Sequence, residues 1–302
     1  FYMNILIIGG SGFVGSSLVN YLLSKNLKVF VYIHNSFGFL EGIEHNNLKY
    51  IKNFNELFFE KVEINTIYHA GSKLPSGVKT YEEFYKSNVE LTLKIIDLVK
   101  KLNVKQFIYL STGSIFSKLE KNTIFNEDIT PNPSNYYGLT KYISEKLLSI
   151  EFEKTDIQVS IIRFPSIFGK NDSEGIVKLF HNKSINNENI ELYSRGERYR
   201  NLIYIDSVVD ILYKAYENVQ KLSKYEIFMA GSSNSLTLVD VAKEIIKLTN
   251  SNSKIVLVDK FPPSDFDVII DNTKAQKLLN FKPLKIEDGL KKYIEVMKNE
   301  KI

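Results

Sequence analysis

The sequence predicts an α/β fold, a doubly wound parallel sheet followed by a smaller, mostly C-terminal α/β lobe. Three observations predict it. Short apolar runs alternate with helical patterns through the first half of the chain, as parallel strands joined by crossover helices require. The first run, residues 4–8, opens directly into Gly9-Gly10-Ser11-Gly12-Phe13-Val14-Gly15, which holds four of the chain's 15 glycines. Beyond Pro165 the alternation loosens into helices and short strands.

The elements follow in order. After the glycine loop, Val14, Leu18, Tyr21 and Leu22 recur at helical spacing until Lys25-Asn26. Strand-length apolar runs come at 29–33, 48–51 and 66–69. A long helical pattern covers 80–102, a strand 106–110, a helix 135–152 and a strand 159–162. This divides the chain into a dinucleotide-binding domain at 1–165 and a substrate-binding lobe at 166–302, with a segment near 200–230 returning to the sheet. Residues 182–189 are polar enough to be expected as a mobile loop, and Pro262-Pro263 punctuates the second lobe.

Composition excludes several classes of function. With 302 residues, 44% of them apolar, the chain can bury one large core or two modest ones. Its apolar runs are too short to span a bilayer and no signal peptide is visible, so a cytoplasmic protein is expected. Phe1 and Tyr2 precede the first methionine and read as an expression scar. The absence of cysteine removes disulfides, thiolate metal sites and thiol nucleophiles together. His34, His45, His69 and His181 are scattered without metal-ligand spacing, so no metal is expected. A net charge of +4 with both signs spread along the chain gives no nucleic-acid stripe. Arginine is rationed: of 39 basic residues four are arginine, and Arg195, Arg198 and Arg200 fall within six residues. Guanidinium grips phosphate or carboxylate with two bonds, so the cluster points to an anion site.

The glycine loop has a physical purpose. A strand feeding directly into a helix leaves free backbone N–H groups and a positive dipole end at the turn, suited to a diphosphate if the backbone can come close. Glycines permit that approach. Both Gly10-x-Gly12-x-x-Gly15 and Gly9-x-x-Gly12-x-x-Gly15 are satisfied, which indicates a Rossmann-like dinucleotide fold without choosing between dehydrogenase superfamilies. The expected Asp or Glu after the second strand is missing; no acidic residue precedes Glu41, and the strand ends Tyr32-Ile33-His34-Asn35-Ser36. A 2′-phosphate would meet no repulsion there, and His34 and Asn35 can donate to it. The reading therefore tilts toward NADP, with NAD open because no Lys or Arg follows the strand.

The catalytic question turns on residues 134–146. Tyr137 and Lys141 are four apart on one helical face, where an ammonium would favour the phenolate. Spacing alone does not decide, since Tyr21 with Lys25 and Tyr142 with Lys146 share it.

Seven motifs in order supply the context. They are 9–15, His69-Ala70-Gly71, Leu110-Ser111-Thr112-Gly113-Ser114-Ile115-Phe116, Tyr137-Gly138-Leu139-Thr140-Lys141, Arg163-Phe164-Pro165-Ser166-Ile167-Phe168-Gly169, 200–206 and 277–283. Together they resemble the extended short-chain dehydrogenase/reductases, the NAD-dependent epimerase/dehydratase family, over nearly the whole chain.

The resemblance selects Tyr137 over its two rivals and implies a hydride-transfer enzyme acting on a nucleotide-activated sugar. Tyr137, Lys141 and Thr112 would be catalytic: Tyr137 exchanges the proton on the sugar oxygen, Thr112 orients that oxygen, and Lys141 also holds the nicotinamide ribose. Gly9, Gly12, Phe13, Val14, Gly15, His34, Asn35, His69, Ala70 and Gly71, with Tyr137 and Lys141, would bind the cofactor. Lys73, Ser114, Ser166 and Arg200 would meet the substrate, Arg200 as a phosphate ligand, and Asn88 would support the active-site helix. Gly113-Ser114 stand where dehydratases carry Asp-Glu, which argues against a 4,6-dehydratase. A 4-keto-sugar reductase and a C4 epimerase survive, the missing carboxylate tilting the reading marginally to the reductase. A nucleotide-sensing protein without turnover is the alternative of another class. The resemblance also implies a homodimer built on the helices at 80–102 and 135–152.

Overall fold

The computed structural model describes residues 4–75, 77, 80–117, 119–120, 123–260 and 266–299. Phe1, Tyr2 and the Pro262-Pro263 pair lie outside the described residues.

Seven parallel strands form the central sheet: β1 (Asn4–Ile8), β2 (Lys28–Tyr32), β3 (Leu48–Ile51), β4 (Ile64–His69), β5 (Gln106–Thr112), β6 (Gln158–Phe164) and β7 (Tyr225–Met229). Their spatial order is β7-β6-β5-β4-β1-β2-β3. Both faces are covered, which is why the strands read as unbroken apolar runs. Ile5 and Ile7 face one side and Leu6 and Ile8 the other, all four at 2% exposure or less. The order in which strands are added reverses between β1 and β4, so the connections after these two strands part to opposite faces and leave a crevice at their carboxyl ends.

The connecting helices are α1 (Phe13–Ser24), α2 (Asn55–Phe59), α3 (Tyr81–Phe84), α4 (Leu91–Leu102), α5 (Tyr136–Phe152), α6 (Ile176–Ile185), α7 (Ile205–Glu217), α8 (Leu238–Thr249), α9 (Thr273–Leu279) and α10 (Ile286–Asn299). The helical pattern expected over 80–102 is realised as α3 and α4 joined by one π-helical turn, Tyr85–Glu90. Thr80 caps its start with a reciprocal capping box to Glu83.

The second lobe gathers α6, α8 and α10 around short strand pairs, Ile190–Tyr193 with Ile255–Val258 and Ser166–Phe168 with Leu202–Tyr204. One apolar cluster runs from Leu18 and Leu22 of α1 through Val208 and Leu212 of α7 to Phe180, Ile245 and Leu290 of this lobe. The strand β7 carries the chain back to the edge of the main sheet. The mobile loop expected at 182–189 is corrected over its first half: α6 continues through Ile185, because Val177, Phe180, His181 and Ser184 form a buried stripe and Ser184 Oγ lies 2.7 Å from Thr249 Oγ1 of α8, and the connection is confined to residues 186–189. Among the described residues no helix is long and apolar enough to cross a membrane.

Candidate active site

The glycine loop closes on itself. Gly9 has φ +82°, and a Cβ there would stand 2.4 Å from the Gly71 nitrogen after β4. A Cβ on Gly15 would stand 2.1 Å from the Gly9 oxygen. Loop, helix start and the His69-Ala70-Gly71 segment are therefore packed backbone to backbone, which only glycine allows. Gly12 caps α1 with no side-chain hydrogen bond and no acidic residue follows in the first turn, so the amides of Phe13, Val14 and Gly15 face the crevice end of the helix without an internal acceptor. This is the donor set a dinucleotide diphosphate needs. His34 and Asn35 are exposed just past β2.

His69 departs from the simplest form of its expected role. Its side chain is fully buried, with Nε2 3.0 Å from Thr92 Oγ1, and burial holds the imidazole well below its ordinary pKa and hence neutral. What this segment turns toward the loop is backbone: the Ala70 amide donates to the Ile8 carbonyl at 2.9 Å.

Thr112 ends β5 and Tyr137 sits in the first turn of α5, which Asn135 caps by accepting from the Gly138 amide at 2.8 Å. The first turn of α5, where Tyr137 is half-buried, packs on the turn after β5: a Cβ on Gly138 would stand 2.1 Å from the Ser114 oxygen. Ser114, half-buried, donates its amide to Thr112 Oγ1 at 3.1 Å, which leaves the Thr112 hydroxyl hydrogen for another acceptor. Lys141, one turn along α5, is 2% exposed; its Nζ donates to the Leu110 carbonyl at 2.6 Å and lies 4.0 Å from the centroid of the Tyr109 ring. Burial lowers its pKa to about 7, opposed by the Glu145 carboxylate.

These contacts revise the electrostatics expected from spacing. Burial pushes the Tyr137 phenol above its ordinary value, opposed by the nearby hydroxyls of Thr112 and Ser72 rather than by the ammonium. The rival pairs behave as surface: Lys25 lies 5.1 Å from the Tyr21 ring and Lys146 5.5 Å from the Tyr142 ring, with both lysines exposed.

Beneath this cluster lie residues to which the sequence reading assigned no role. The Glu145 carboxylate accepts from Ser111 Oγ at 2.5 Å and from Arg163 Nε and Nη2 at 3.1 and 2.7 Å, with Glu145 and Arg163 at most 3% exposed. A usable signal was present: Tyr137, Lys141, Glu145, Leu148 and Phe152 form one stripe of α5, and a carboxylate on a buried stripe must be paired. Asn88 supports the helix as expected. Its Nδ2 donates to Thr140 Oγ1 at 3.0 Å, while its Oδ1 accepts from Ser72 Oγ at 3.1 Å and the Lys73 amide at 2.8 Å.

On the lobe side a cavity of about 300 Å³ is lined by Ser166, Asp172, Ile176, Arg200, Leu202 and Leu238, among others. The arginine cluster divides in space: Arg195 makes a bidentate pair with Asp259 at 2.7 and 3.0 Å in an exposed position, whereas Arg200 reaches the cavity and donates to the Tyr199 carbonyl at 3.0 Å. Lys73 is half-buried beside the crevice, and Ser166 is exposed at the cavity wall. The described residues hold no group of three His, Asp or Glu placed to bind a metal ion.

The model of the NAD dependent epimerase/dehydratase family matches residues 5–231. An uncharacterised protein of Methanocaldococcus jannaschii is 28% identical, covering 97% of this chain and 95% of its own. The UDP-glucose 4-epimerase of Thermotoga maritima, solved with UDP-glucose, superposes with a TM-score of 0.87 at 25% identity over 99% of this chain and 100% of that one. The UDP-glucuronic acid 4-epimerase of Bacillus cereus, solved with UDP-glucuronic acid and NAD, shares the fold with a TM-score of 0.86 at 21% identity, over 99% and 100% of the two chains.

Proposed function

The chain belongs to the NAD-dependent epimerase/dehydratase family, and from that premise we propose that it inverts C4 of a nucleotide-activated sugar, using NAD held in the crevice between β1 and β4. The observation that carries the proposal is the placing of half-buried Tyr137 in the first turn of α5, one helical turn from buried Lys141, where that helix packs on the turn that follows buried Thr112.

When bound, the nicotinamide supplies a hydride acceptor and donor. The Gly9, Gly12 and Gly15 loop and the amides of Phe13, Val14 and Gly15 would hold the diphosphate, with His34 and Asn35 at the adenosine end. Tyr137 takes the proton from the sugar O4 and later returns it, so no net proton is consumed. Thr112 holds that oxygen in line. Lys141, its pKa brought to about 7, supplies a cation at a dry site when it is protonated at and below neutral pH, where its effect on a developing oxyanion is much larger than in water. Ser114, Ser166 and Arg200 would fix the sugar and its diphosphate from the lobe side, and Lys73 from the loop.

A 4-keto-sugar reductase is the second reading, favoured by the absent carboxylate after β2. Epimerisation is preferred because the two solved enzymes named above are 4-epimerases, and NAD because one of them is solved with it and no Lys or Arg directly follows β2 here. Gly113-Ser114 after Thr112 still argue against dehydration. Pairing of two copies through α4 and α5 is part of the same proposal; Ile150 on α5 is 66% exposed.

The test is incubation with UDP-glucose and with UDP-glucuronic acid, following C4 inversion by NMR, alongside mass spectrometry of nucleotides that co-purify. Retained NAD and inversion without net cofactor use support the epimerase; consumption of NADPH on a 4-keto sugar supports the reductase. Tyr137→Phe is expected to lower turnover by about 100-fold or more while NAD affinity is kept. Unchanged turnover in that variant would remove Tyr137 from the chemistry.

A further inference from the structure

We propose that Tyr109 is a positioning residue for the reaction: the face of its ring and the carbonyl of its neighbour Leu110 form a seat on β5 that holds the Lys141 ammonium charged and in place in a dry interior. The inference rests on the enzymatic reading of Tyr137 and Lys141 and adds a residue to that site.

The geometry defines the seat. Lys141 Nζ lies 4.0 Å from the centroid of the Tyr109 ring and donates to the Leu110 carbonyl at 2.6 Å. An atom in the plane of the ring could not come so near the centroid, because the radius of the ring is added there to a contact distance of about 3.5 Å, so the nitrogen stands over the face. That face is the negative side of the ring quadrupole. Of the lysines that meet an aromatic ring among the described residues, Lys141 makes the shortest contact, and in it alone both partners are buried, Lys141 at 2% and Tyr109 at 0% exposure. Such a contact gains most where water is excluded. The ring is held by the sheet: parallel pairing sets His69 of β4 and Ile161 of β6 beside Tyr109, and the His69 ring packs against it at 60° with centroids 5.2 Å apart.

An ammonium at this depth has little other support. The carboxylate that acts on it, Glu145, is gripped by Arg163 through bonds of 3.1 and 2.7 Å, and those two charges offset each other. The Tyr109 phenol is itself neutral, because burial pushes it far above its ordinary value, so what it offers Lys141 is the ring face and not a negative oxygen. His69, against the same ring, is held neutral by burial first and then by Lys141, so no second cation stands there. Three N–H bonds radiate from an ammonium. The Leu110 carbonyl takes one and the ring face covers another, which leaves one for the nicotinamide ribose or for the oxygen on which charge develops. The titratable groups that face Lys141 are Tyr137 and Glu145 on its own helix, with Arg163 of β6 behind Glu145, His69 on β4 and Tyr109 on β5; the variants below change Tyr109 alone.

The experiment compares the unaltered full-length chain with Tyr109→Phe and with the same position carrying 4-fluoro-, 3,5-difluoro- and 3,4,5-trifluorophenylalanine. Each fluorine withdraws charge from the ring face while the ring keeps its shape and nearly its volume, so a packing role alone does not follow the series. Nucleotide-free protein labelled with carbon-13 at lysine Cε is titrated by NMR; the Lys141 signal is the one lost in Lys141→Met. Tyr109→Phe is expected to leave the Lys141 midpoint in place, and the fluorinated rings to lower it step by step, by about one pH unit for three fluorines. In turnover of whichever UDP-sugar is converted, the alkaline limb of kcat moves down by the same amount with KM unchanged, so that kcat at pH 8 falls about tenfold, and Tyr109→Phe keeps the parent profile. A Lys141 midpoint that stays fixed along the fluorinated series, while Tyr137→Phe is inactive, would overturn this inference and leave the enzymatic reading standing. An active Tyr137→Phe would overturn both.

Discussion

Replacing Lys141 with methionine separates stability from activity in a way that pH reports. In the folded protein the Lys141 ammonium is 2% exposed and its pKa is brought down to about 7 from 10.5, chiefly by burial. The unfolded chain keeps the proton to its ordinary value. Between those two pH values the unfolded state binds more protons than the native state, so stability rises with pH through that window and is flat below it. The burden Lys141 places on folding is thus fullest at pH 6 and is less by about 2–3 kcal/mol at pH 9, taking about 1.4 kcal/mol per pH unit. Methionine has nearly the same length and no charge. Lys141→Met also removes the donor to the Leu110 carbonyl, a loss that is the same at both pH values and cancels in the comparison. Urea unfolding of nucleotide-free protein at pH 6 and pH 9 measures it. The gain of Lys141→Met over the parent is expected to be larger at pH 6 by that amount, with turnover abolished at both. An equal difference at the two pH values, or a larger one at pH 9, would refute a buried, neutralised lysine.

Two further outcomes follow from the packing. Glu145→Gln leaves the buried Arg163 guanidinium without its carboxylate and is expected to destabilise the fold by about 3–5 kcal/mol, whereas replacing both residues by methionine recovers most of it; differential scanning calorimetry and urea unfolding compare them. Gly15→Ala puts a methyl 2.1 Å from the Gly9 oxygen, so the first turn of α1 must move away from the loop; NAD affinity measured by calorimetric titration is expected to fall at least tenfold, and unchanged affinity would show that the amides do not hold the diphosphate.

Legibility followed the range of the interactions. Six of the seven strands of the main sheet appeared in the sequence because burial on both faces forces continuous apolar runs, the edge strand Tyr225–Met229 only as part of a segment near 200–230 that returns to the sheet, and the glycine loop because its backbone contacts exclude every side chain. The stripe of α5 was visible once Tyr137 and Lys141 were set four apart. The length of α6 was not, since a polar stretch with few apolar residues signals a loop unless the neighbouring helix is known. Ser72 carried no pattern of its own: it reaches Asn88, 16 positions later, only through the meeting of the loop after β4 with the π-helical turn.

By itself the sequence determined the α/β class and the glycine loop, because these depend on residue type and on spacing within a single element, whereas the choice of Tyr137 with Lys141 among three equally spaced pairs came from the resemblance carried by seven ordered motifs. Tertiary structure decided the lowered pKa of Lys141, the pairing of Glu145 with Arg163, the separation of Arg195 from Arg200 and the hydrogen bonds of Asn88 to Ser72 and Thr140. Those depend on how much water is removed from each group and on which distant segment replaces it, and neither quantity is written in local order along the chain.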